Sequence, residues 1–514
     1  MKLTLKKIGT LVLCSALIIG TGCSDFLKEE DPSNIAPATF YTQPDHAEAA
    51  VYGIYENFRF LSDGAGIFVS NFQMLDALSG TAETETGQNS DLNNMLGFSH
   101  TGDNLLLSQW WRQLYEGVGN ANLAIDRIPL IPLILPENSQ KWVGHAKFLR
   151  ALHYFYLVRL WGDVPLITKP ILDWKDPNVT APRSSSEDVY ALIEADLLEA
   201  EAAGFPMTDA TGLASQVAVK SLLAKVYLTM AGAPLNKGAA YYQKAAAKAK
   251  EVIDYATANP GKVALFPSYD DLHDPAKENI LEHIFMQQYA AGIANAGFQD
   301  KFLPNNTNIT ASGEVGTTVP TASFLASYEA GDKRTQEKGF YFKDYFLGAG
   351  TGAPTTLNRF YIYKHFDVIA NGKPGAPGTG NSGLNYPLMR YADVLLIYAE
   401  AQNEAGGPDV TAYDALKAIR DRAGLVTPGM GTFTQPTFRN AVLIERWHEL
   451  SFEGITWFDM IRLKKVYNPA TNSIVEFEGA SLNGATLQAK HLLLPLPAAD
   501  FRNNPNLTPN NPGW

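Results

Sequence analysis

The stretch that decides the fold is YPLMRYADVLLIYAEAQNEAG at 386–406, followed by AYDALKAIRDRAGL at 412–425. In the first segment, apolar residues recur at steps of three and four, as at Tyr391, Val394 and Tyr398, and this spacing marks one face of a helix. A Gly-Gly-Pro sequence then ends that helix, and the second segment starts another. Two helices joined by a short turn predict an antiparallel helical hairpin.

The rest of the chain repeats this pattern, with long loops between the helices. The spacing of apolar residues predicts further helices at 45–61, 105–128, 137–161, 185–202, 214–230, 239–256 and 441–466. The pair at 214–230 and 239–256 resembles a tetratricopeptide unit, which consists of two helices. The predicted fold class is therefore mainly all-α, a tetratricopeptide-like scaffold of helical hairpins with long irregular loops and a few short strands.

Composition divides the chain into segments within one predicted domain, 43–514. The helical scaffold is expected at 43–256 and 386–466. Between them, the segment 257–385 is rich in Pro, Gly, Asn and Thr and contains short β-like runs such as ILEHIFMQQY. We interpret it as a loop-rich insertion, and 467–514 as a loop-rich C-terminal segment.

The N-terminus has the pattern of an export signal. Residues 1–22 combine three lysines at the start, an apolar run and a small-residue end, as in a signal peptide. The chain has two cysteines; Cys14 lies in the leader, so the mature chain keeps Cys23 alone. Exported proteins usually pair their cysteines, and this pattern therefore predicts lipid attachment at Cys23, with 23–42 as a tether. A plain signal peptide with a stray thiol is the alternative.

Charge and motifs argue against several functions. The net charge of −12 argues against nucleic acid as a partner, because phosphate binding needs clustered Lys and Arg. The nine histidines are scattered, and the sequence has no HExxH motif, GxSxG motif or DxDxDG calcium loop. We therefore predict no metal site and no cofactor, although the sequence leaves Ca²⁺ binding open.

One set of carboxylates has a spacing compatible with catalysis. Glu445, Glu449 and Glu453 recur every four residues and would share a helix face. A carboxylate pair can hydrolyse glycosidic bonds. However, Arg446 and Arg462 are close in sequence and favour structural ion pairs. We therefore predict no enzymatic activity.

Two polar loops offer candidate ligand contacts. Sugars expose C–H faces that pack on aromatic rings and hydroxyls that need polar partners, and such residues occur in the unstructured loop predicted at 62–103 and at 287–306. The alternative is that each loop aromatic anchors its own loop. The candidates are Phe68, Phe72, Asn94, Phe98, His100, Tyr289, Phe298 and Phe302.

Several motifs together point to one family. They are WWRQLYEGVGNANLAI at 110–125, GHAKFLRALHYFYLVRLWGDVPL at 144–166, LIERWHELSFEG at 443–454 and LLPLPAADFRNNPNLTPNNPGW at 493–514. With the stretch at 386–406, they resemble the SusD/RagB family, surface lipoproteins of Bacteroidetes that bind glycans beside a TonB-dependent transporter. Departures from the family pattern are Thr456, where Arg is usual, and the terminal Trp514, where Tyr is commoner.

The resemblance implies a lipoprotein of the outer membrane, exposed at the cell surface. It would capture oligosaccharide or polysaccharide and deliver it to a SusC-like TonB-dependent transporter. Two alternatives stay open: a transporter lid that binds peptide cargo, and a surface glycosidase that uses Glu445 and Glu449. The acidic stretch SDFLKEED after Cys23 resembles a surface-export signal, or is a solvated tether.

Overall fold

Helices dominate the structure, a computed structural model. It describes residues 40–64, 69–87, 89–297, 301–302, 316–345, 355–367 and 382–514. The helices are α1 Asp45–Asn57, α2 Gln73–Ala77, α3 Ser90–Leu96, α4 Leu105–Arg127, α5 Pro136–Trp161, α6 Ser186–Glu201, α7 Gln216–Ala231, α8 Ala239–Ala258, α9 Ala322–Ala326, α10 Tyr391–Gly406, α11 Val410–Arg422, α12 Gln435–Glu449, α13 Thr456–Leu463 and α14 Ala498–Asn503. The predicted fold class is confirmed.

The strands are short and form pairs. They are β1 Ala82–Glu83, β2 Val164–Pro165, β3 Arg183–Ser184, β4 His283–Gln287, β5 Val319–Pro320, β6 Tyr341–Tyr345, β7 Thr355–Ile362, β8 Tyr386–Arg390, β9 Lys465–Asn468, β10 Ser473–Glu476, β11 Ser481–Leu482 and β12 Ala485–Thr486. All six pairs are antiparallel: β1 with β5, β2 with β3, β4 with β8, β6 with β7, β9 with β10 and β11 with β12. The pair β4–β8 joins the segment 257–385 to the start of the stretch 386–406, with Gln287 opposite Tyr386.

Neighbouring helices pack as hairpins. Helix α4 packs on α5, α5 on α6 and α7 on α8, while α10 packs on α8, α11 and α12 and so joins the two parts of the scaffold. Local capping sets the helix starts: Ser185 accepts a hydrogen bond from the Asp188 amide at 3.1 Å, and Asp409 accepts one from the Ala412 amide at 2.7 Å. The predicted hairpin at 391–422 and the start at Ser185 are confirmed.

A buried ion-pair network holds the C-terminal helices together. The Arg446 guanidinium lies 2.9 Å from Asp459 of α13 and 3.1 Å from Asp393 of α10. Arg462 pairs with Asp459 and with Glu400 of α10. Buried charges need such partners because they have lost their water, so the network specifies how α10, α12 and α13 meet.

The prediction of one helix over 441–466 is wrong. Helix α12 ends at Glu449, and α13 starts at Thr456. Phe452 and Gly454 between them have φ of 61° and 65°, and a helix cannot continue through such residues. The carbonyls freed by this break are used, since Lys364 donates to Glu449 O at 2.6 Å and to Ser451 O at 2.9 Å.

The loop predicted at 62–103 also contains regular structure. Its described part includes the short helices α2 and α3, and Asn89 caps α3 by accepting from the Leu92 amide at 2.9 Å. Neither helix is long enough to show a clear apolar period. Within the described ranges, no helix has the length and apolar character to cross a membrane. Cys23 and the tether up to residue 39 lie outside those ranges.

Candidate ligand-binding site

The structure buries most of the aromatic residues proposed as ligand contacts. The rings of Phe72 and Phe302 lie 5.1 Å apart between centroids, and Phe302 also stacks on His365 at 5.0 Å. Phe72 and Phe302 are each 1% exposed. They therefore join two loops to the core and present no ring face to a dissolved sugar.

Phe98 and His100 pack against the C-terminal end of the chain. Their partners are His491, at 5.3 Å from Phe98, and Trp514, at 5.1 Å from His100. Burial lowers the pKa of His100 to about 4. Both side chains anchor their loop, which is the alternative that the sequence left open.

The remaining candidates lie in different places. Asn94 is exposed and accepts a hydrogen bond from Ser99 at 3.2 Å. Phe68 and Phe298 lie outside the described residues and stay predictions. Tyr289 is mostly buried, but it lines an open cleft. That cleft is the candidate site.

The polar cleft, as we call it, has a volume of about 530 Å³ and lies between α1, α4 and the turn at 289–295. Its volume is in the range of known small-ligand sites. Polar side chains dominate its wall, among them Glu56, Asn57, Arg59, Asp63, Gln113 and Asn120.

The packing of α1 on α4 and α5 positions this wall. Asn57 Oδ1 lies 2.9 Å from His153 Nε2, and Asn57 Nδ2 lies 3.5 Å from Gln113 Oε1. The His153 ring fits there because Gly117 has no side chain: a Cβ on Gly117 would lie 1.9 Å from His153 Nε2. The GVGNAN sequence around Gly117 is thus a helix-packing feature of α4.

Backbone hydrogen bonds hold the other side of the cleft. Ala290 and Ala294 exchange two of them, at 2.9 and 2.8 Å, which closes the turn. The Asn385 side chain accepts from the Tyr289 amide at 2.7 Å. The cleft is therefore largely preformed, which reduces the entropy lost when a ligand binds.

The cleft has an excess of negative charge. Glu56, Asp63 and Glu116 contribute carboxylates, whereas Arg59 is the one guanidinium among its described lining residues. Arg59 is already engaged, with Nη1 at 3.1 Å from Glu56 Oε1 and Nε at 3.3 Å from Gln288 O. Partial desolvation raises the pKa of Asp63. An anionic ligand would meet net repulsion here.

Two groups of the wall are ready to bind a ligand. Glu116 and Asn120 are exposed on α4, and neither side chain has a hydrogen-bond partner among the described residues. Their spacing of four places them on the same helix face. An amide and a carboxylate together can donate to and accept from sugar hydroxyls.

The sequence reasoning missed these α4 residues. Gln113, Glu116 and Asn120 follow helical spacing, but the polar face of any surface helix has the same spacing. It also missed Trp174, which is 80% exposed in the segment between β2 and β3. The tryptophans on the helices, by contrast, are buried in the core: Trp110, Trp111, Trp142, Trp161, Trp447 and Trp457.

The carboxylates with catalytic spacing lie in the core. Glu449 is 0% exposed and lies 2.7 Å from Arg422 and 3.2 Å from Arg390. Burial would raise the pKa of Glu449, but the surrounding guanidinium groups lower it. Glu445 is also buried, 2.6 Å from Arg334. A polysaccharide cannot reach these groups without opening the core.

Throughout the described ranges, no group of three or more His, Cys, Asp or Glu side chains is arranged to hold a metal ion. The absence of a metal or other cofactor stays a prediction.

Comparison with known proteins identifies the family. Residues 333–514 match the model of the SusD family, and residues 65–228 match a model described as starch-binding and associating with the outer membrane. A SusD-like protein of Formosa agariphila, P2, is 30% identical over 99% of both chains. This chain belongs to the SusD family. The resemblance seen in the sequence is confirmed.

Other SusD proteins agree with this placement. A SusD superfamily protein from Parabacteroides distasonis has a crystal structure that matches with a TM-score of 0.84 and 33% identity, covering 91% of this chain and 99% of that one. The starch-binding protein SusD of Bacteroides thetaiotaomicron is 24% identical, over 71% of this chain and 72% of its own. The SusD fold thus accounts for both the helical scaffold and its long loops.

Proposed function

We propose that this SusD family protein binds neutral oligosaccharides in the polar cleft and passes them to a SusC-like TonB-dependent transporter in the outer membrane. The observation that carries the proposal is the open pair of Glu116 and Asn120 in a preformed cleft of about 530 Å³. Two comparisons support the proposal. One relative is named a starch-binding protein, and one matching family model is described as associating with the outer membrane.

The charge of the cleft supports a neutral glycan. Three carboxylates and one paired guanidinium favour hydroxyl groups over sulfate or carboxylate groups of a ligand. The net charge of the chain, −12, acts in the same direction at longer range. Each sugar hydroxyl can accept a hydrogen bond from an amide N–H and donate one to a carboxylate oxygen.

The function is binding and release without bond cleavage. Glu445 and Glu449 are held in buried ion pairs, so they are unavailable as an acid and a base. Hydrogen bonds in an open cleft give modest affinity, on the order of micromolar to millimolar dissociation constants. Such affinity suits a protein that hands its ligand on.

Calorimetric titration of the mature protein with neutral oligosaccharides, including maltoheptaose, tests the proposal. Asn120→Ala removes a free amide and is expected to weaken binding roughly fivefold to tenfold. The matched control is Asn440→Ala, since Asn440 is likewise exposed on a helix but lies on α12. Binding of peptides with no binding across a glycan panel would contradict the proposal and favour a peptide cargo.

Membrane attachment and the transporter need separate measurements. Mass spectrometry of the protein from its native membrane is expected to show acylation at Cys23. Purification in mild detergent is expected to recover the transporter with the protein. A Cys23→Ser variant should be absent from the membrane fraction, while its affinity for glycans should stay unchanged.

A further inference from the structure

A second cavity, which we call the apolar groove, lies beside the polar cleft. It has a volume of about 650 Å³ and opens between α4, the segment 165–181 and the chain from α14 to Leu507. Its apolar lining includes Trp111, Tyr115, Ile171, Leu172 and Val179. Leu172 is 58% exposed and Val179 is 47% exposed. Scattered exposed apolar residues are ordinary, but a groove that gathers them marks a binding surface.

Hydrogen bonds hold the walls of the apolar groove in place. Tyr115 donates to Pro165 O at 2.9 Å, which ties α4 to the start of the segment 165–181. Asn504 donates to Ala181 O at 2.9 Å, and Asn506 donates to Thr180 O at 2.7 Å, which tie the C-terminal wall to the end of that segment. The groove is therefore preformed and stays open without a ligand.

The apolar groove adjoins the polar cleft at two shared lining residues. Glu116 and Asn120 line both cavities, and both side chains are exposed on α4. A molecule held by these two groups can therefore extend into the polar cleft on one side and into the groove on the other. The two sides differ in chemistry, since carboxylates and amides dominate one and apolar side chains the other.

We infer that the apolar groove binds an uncharged apolar substituent, an aryl or acyl group, carried by a glycan whose sugar units occupy the polar cleft. The inference rests on the proposed function of that cleft. The charges at the groove, Arg112 and Lys169 with Glu116 and Asp500, balance and so select no net charge in the ligand. The volume of the groove is ample for an aromatic ring with its linker.

Matched glycosides test the inference in the mature protein. The methyl glycoside and the 4-nitrophenyl glycoside of one neutral oligosaccharide differ in the apolar group alone. The aryl glycoside is expected to bind about tenfold more tightly, because an additional apolar surface leaves water. Leu172→Asp is expected to remove this tenfold gain and to leave the methyl glycoside unaffected. The control is Leu133→Asp, at a residue that is 92% exposed and outside both cavities.

The outcomes separate the inference from the proposed function. Equal affinity for the two glycosides, unchanged in Leu172→Asp, would overturn the inference and leave the polar cleft as a glycan site. Failure of both glycosides to bind, across all sugar types tested, would overturn the proposed function and the inference with it. If Leu172→Asp instead abolished self-association of the protein, the groove would belong to a second copy, and the inference would be wrong.

Discussion

Arg390 donates two parallel hydrogen bonds to the carboxylate of Glu453, from Nη2 to Oε1 at 2.7 Å and from Nε to Oε2 at 2.9 Å. Lys364 donates to the same carboxylate at 2.6 Å, and all three side chains are buried. Burial would raise the pKa of Glu453, but Arg390 and Lys364 lower it to about 2. This contact holds β8 to the break between α12 and α13.

Glu453→Gln is expected to destabilise the protein by about 3–5 kcal/mol, because it removes the carboxylate paired with buried Lys364 and leaves Arg390 with Glu282 and Glu449 alone. Chemical denaturation at pH 7 measures the loss. The matched control is Glu476→Gln, whose side chain is 73% exposed and pairs with Lys465; it should cost about 1 kcal/mol or less. Equal effects of the two changes would show that the buried network adds nothing beyond a surface pair.

Replacing either of the two glycines on α4 with alanine is expected to change the stability of the protein in opposite directions. Gly117→Ala is expected to cost about 1–3 kcal/mol, because the new Cβ displaces the His153 ring. Gly119→Ala, two residues away with nothing within 4 Å of its Cβ position, is expected to gain about 0.5–1 kcal/mol. Thermal unfolding of both variants tests this. A stabilised Gly117→Ala would mean that the His153 ring moves freely.

The same Gly117→Ala change should also weaken glycan binding. His153 Nε2 lies 2.9 Å from Asn57 Oδ1, so a displaced ring removes the partner that orients Asn57 in the polar cleft. We expect a loss of roughly threefold to tenfold in affinity. Gly119→Ala should leave maltoheptaose binding unchanged.

Asp76 predicts a pH dependence of stability. Burial raises the pKa of Asp76 to about 7, against the opposing hydrogen bond from the Gly454 amide. The folded state thus binds this proton more tightly than the unfolded state, whose pKa is about 3.9. The stabilisation is fully present below about pH 4 and is lost as pH rises through 7.

Asp76→Asn removes this proton linkage. The variant is expected to exceed the wild type in free energy of unfolding at pH 8 by about 1–3 kcal/mol and to match it only near pH 4 or below, where Asp76 is protonated in both states. Denaturant titrations at the two pH values measure the difference. The control is Asp421→Asn, an exposed residue paired with Lys417, which should show the same small effect at both values. A pH-independent effect of Asp76→Asn would contradict the prediction.

Glu116 predicts charge selection in the polar cleft. An oligosaccharide with a uronic acid unit should bind more weakly than its neutral counterpart, and Glu116→Gln should reduce that difference by about 1 kcal/mol, or roughly fivefold. Calorimetry at low salt gives the largest effect. The control is Glu478→Gln, at an exposed residue outside both cavities. Preference for the uronic acid in the wild type would refute the neutral-ligand assignment.

Local sequence patterns predicted much of the scaffold. The period of three and four at Tyr391, Val394 and Tyr398 identified α10, and Ser185 marked the start of α6. Both signals act within one or two helical turns, so neighbouring residues suffice to specify them. The break at Phe452 escaped this reasoning, because its positive φ is stabilised by Lys364, a residue distant in sequence.

The candidate site was much less predictable. The polar neighbours of Phe72 and Phe302 predict exposed loop positions, but the two rings pack against each other from different segments of the chain. Conversely, Glu116 and Asn120 look like the solvent face of an ordinary helix. They become part of a cleft because α1 and the turn at 289–295 stand beside them.

The sequence by itself determined most of the long helices, their hairpin order and the family, because apolar period, caps and motifs are all properties of short segments. The tertiary structure alone decided which side chains come together at the surface and which are buried in the core. That choice depends on contacts between residues far apart in the chain, such as Asn57 with His153 and Arg390 with Glu453. No local pattern encodes those contacts, since burial and charge pairing are settled when the segments pack together.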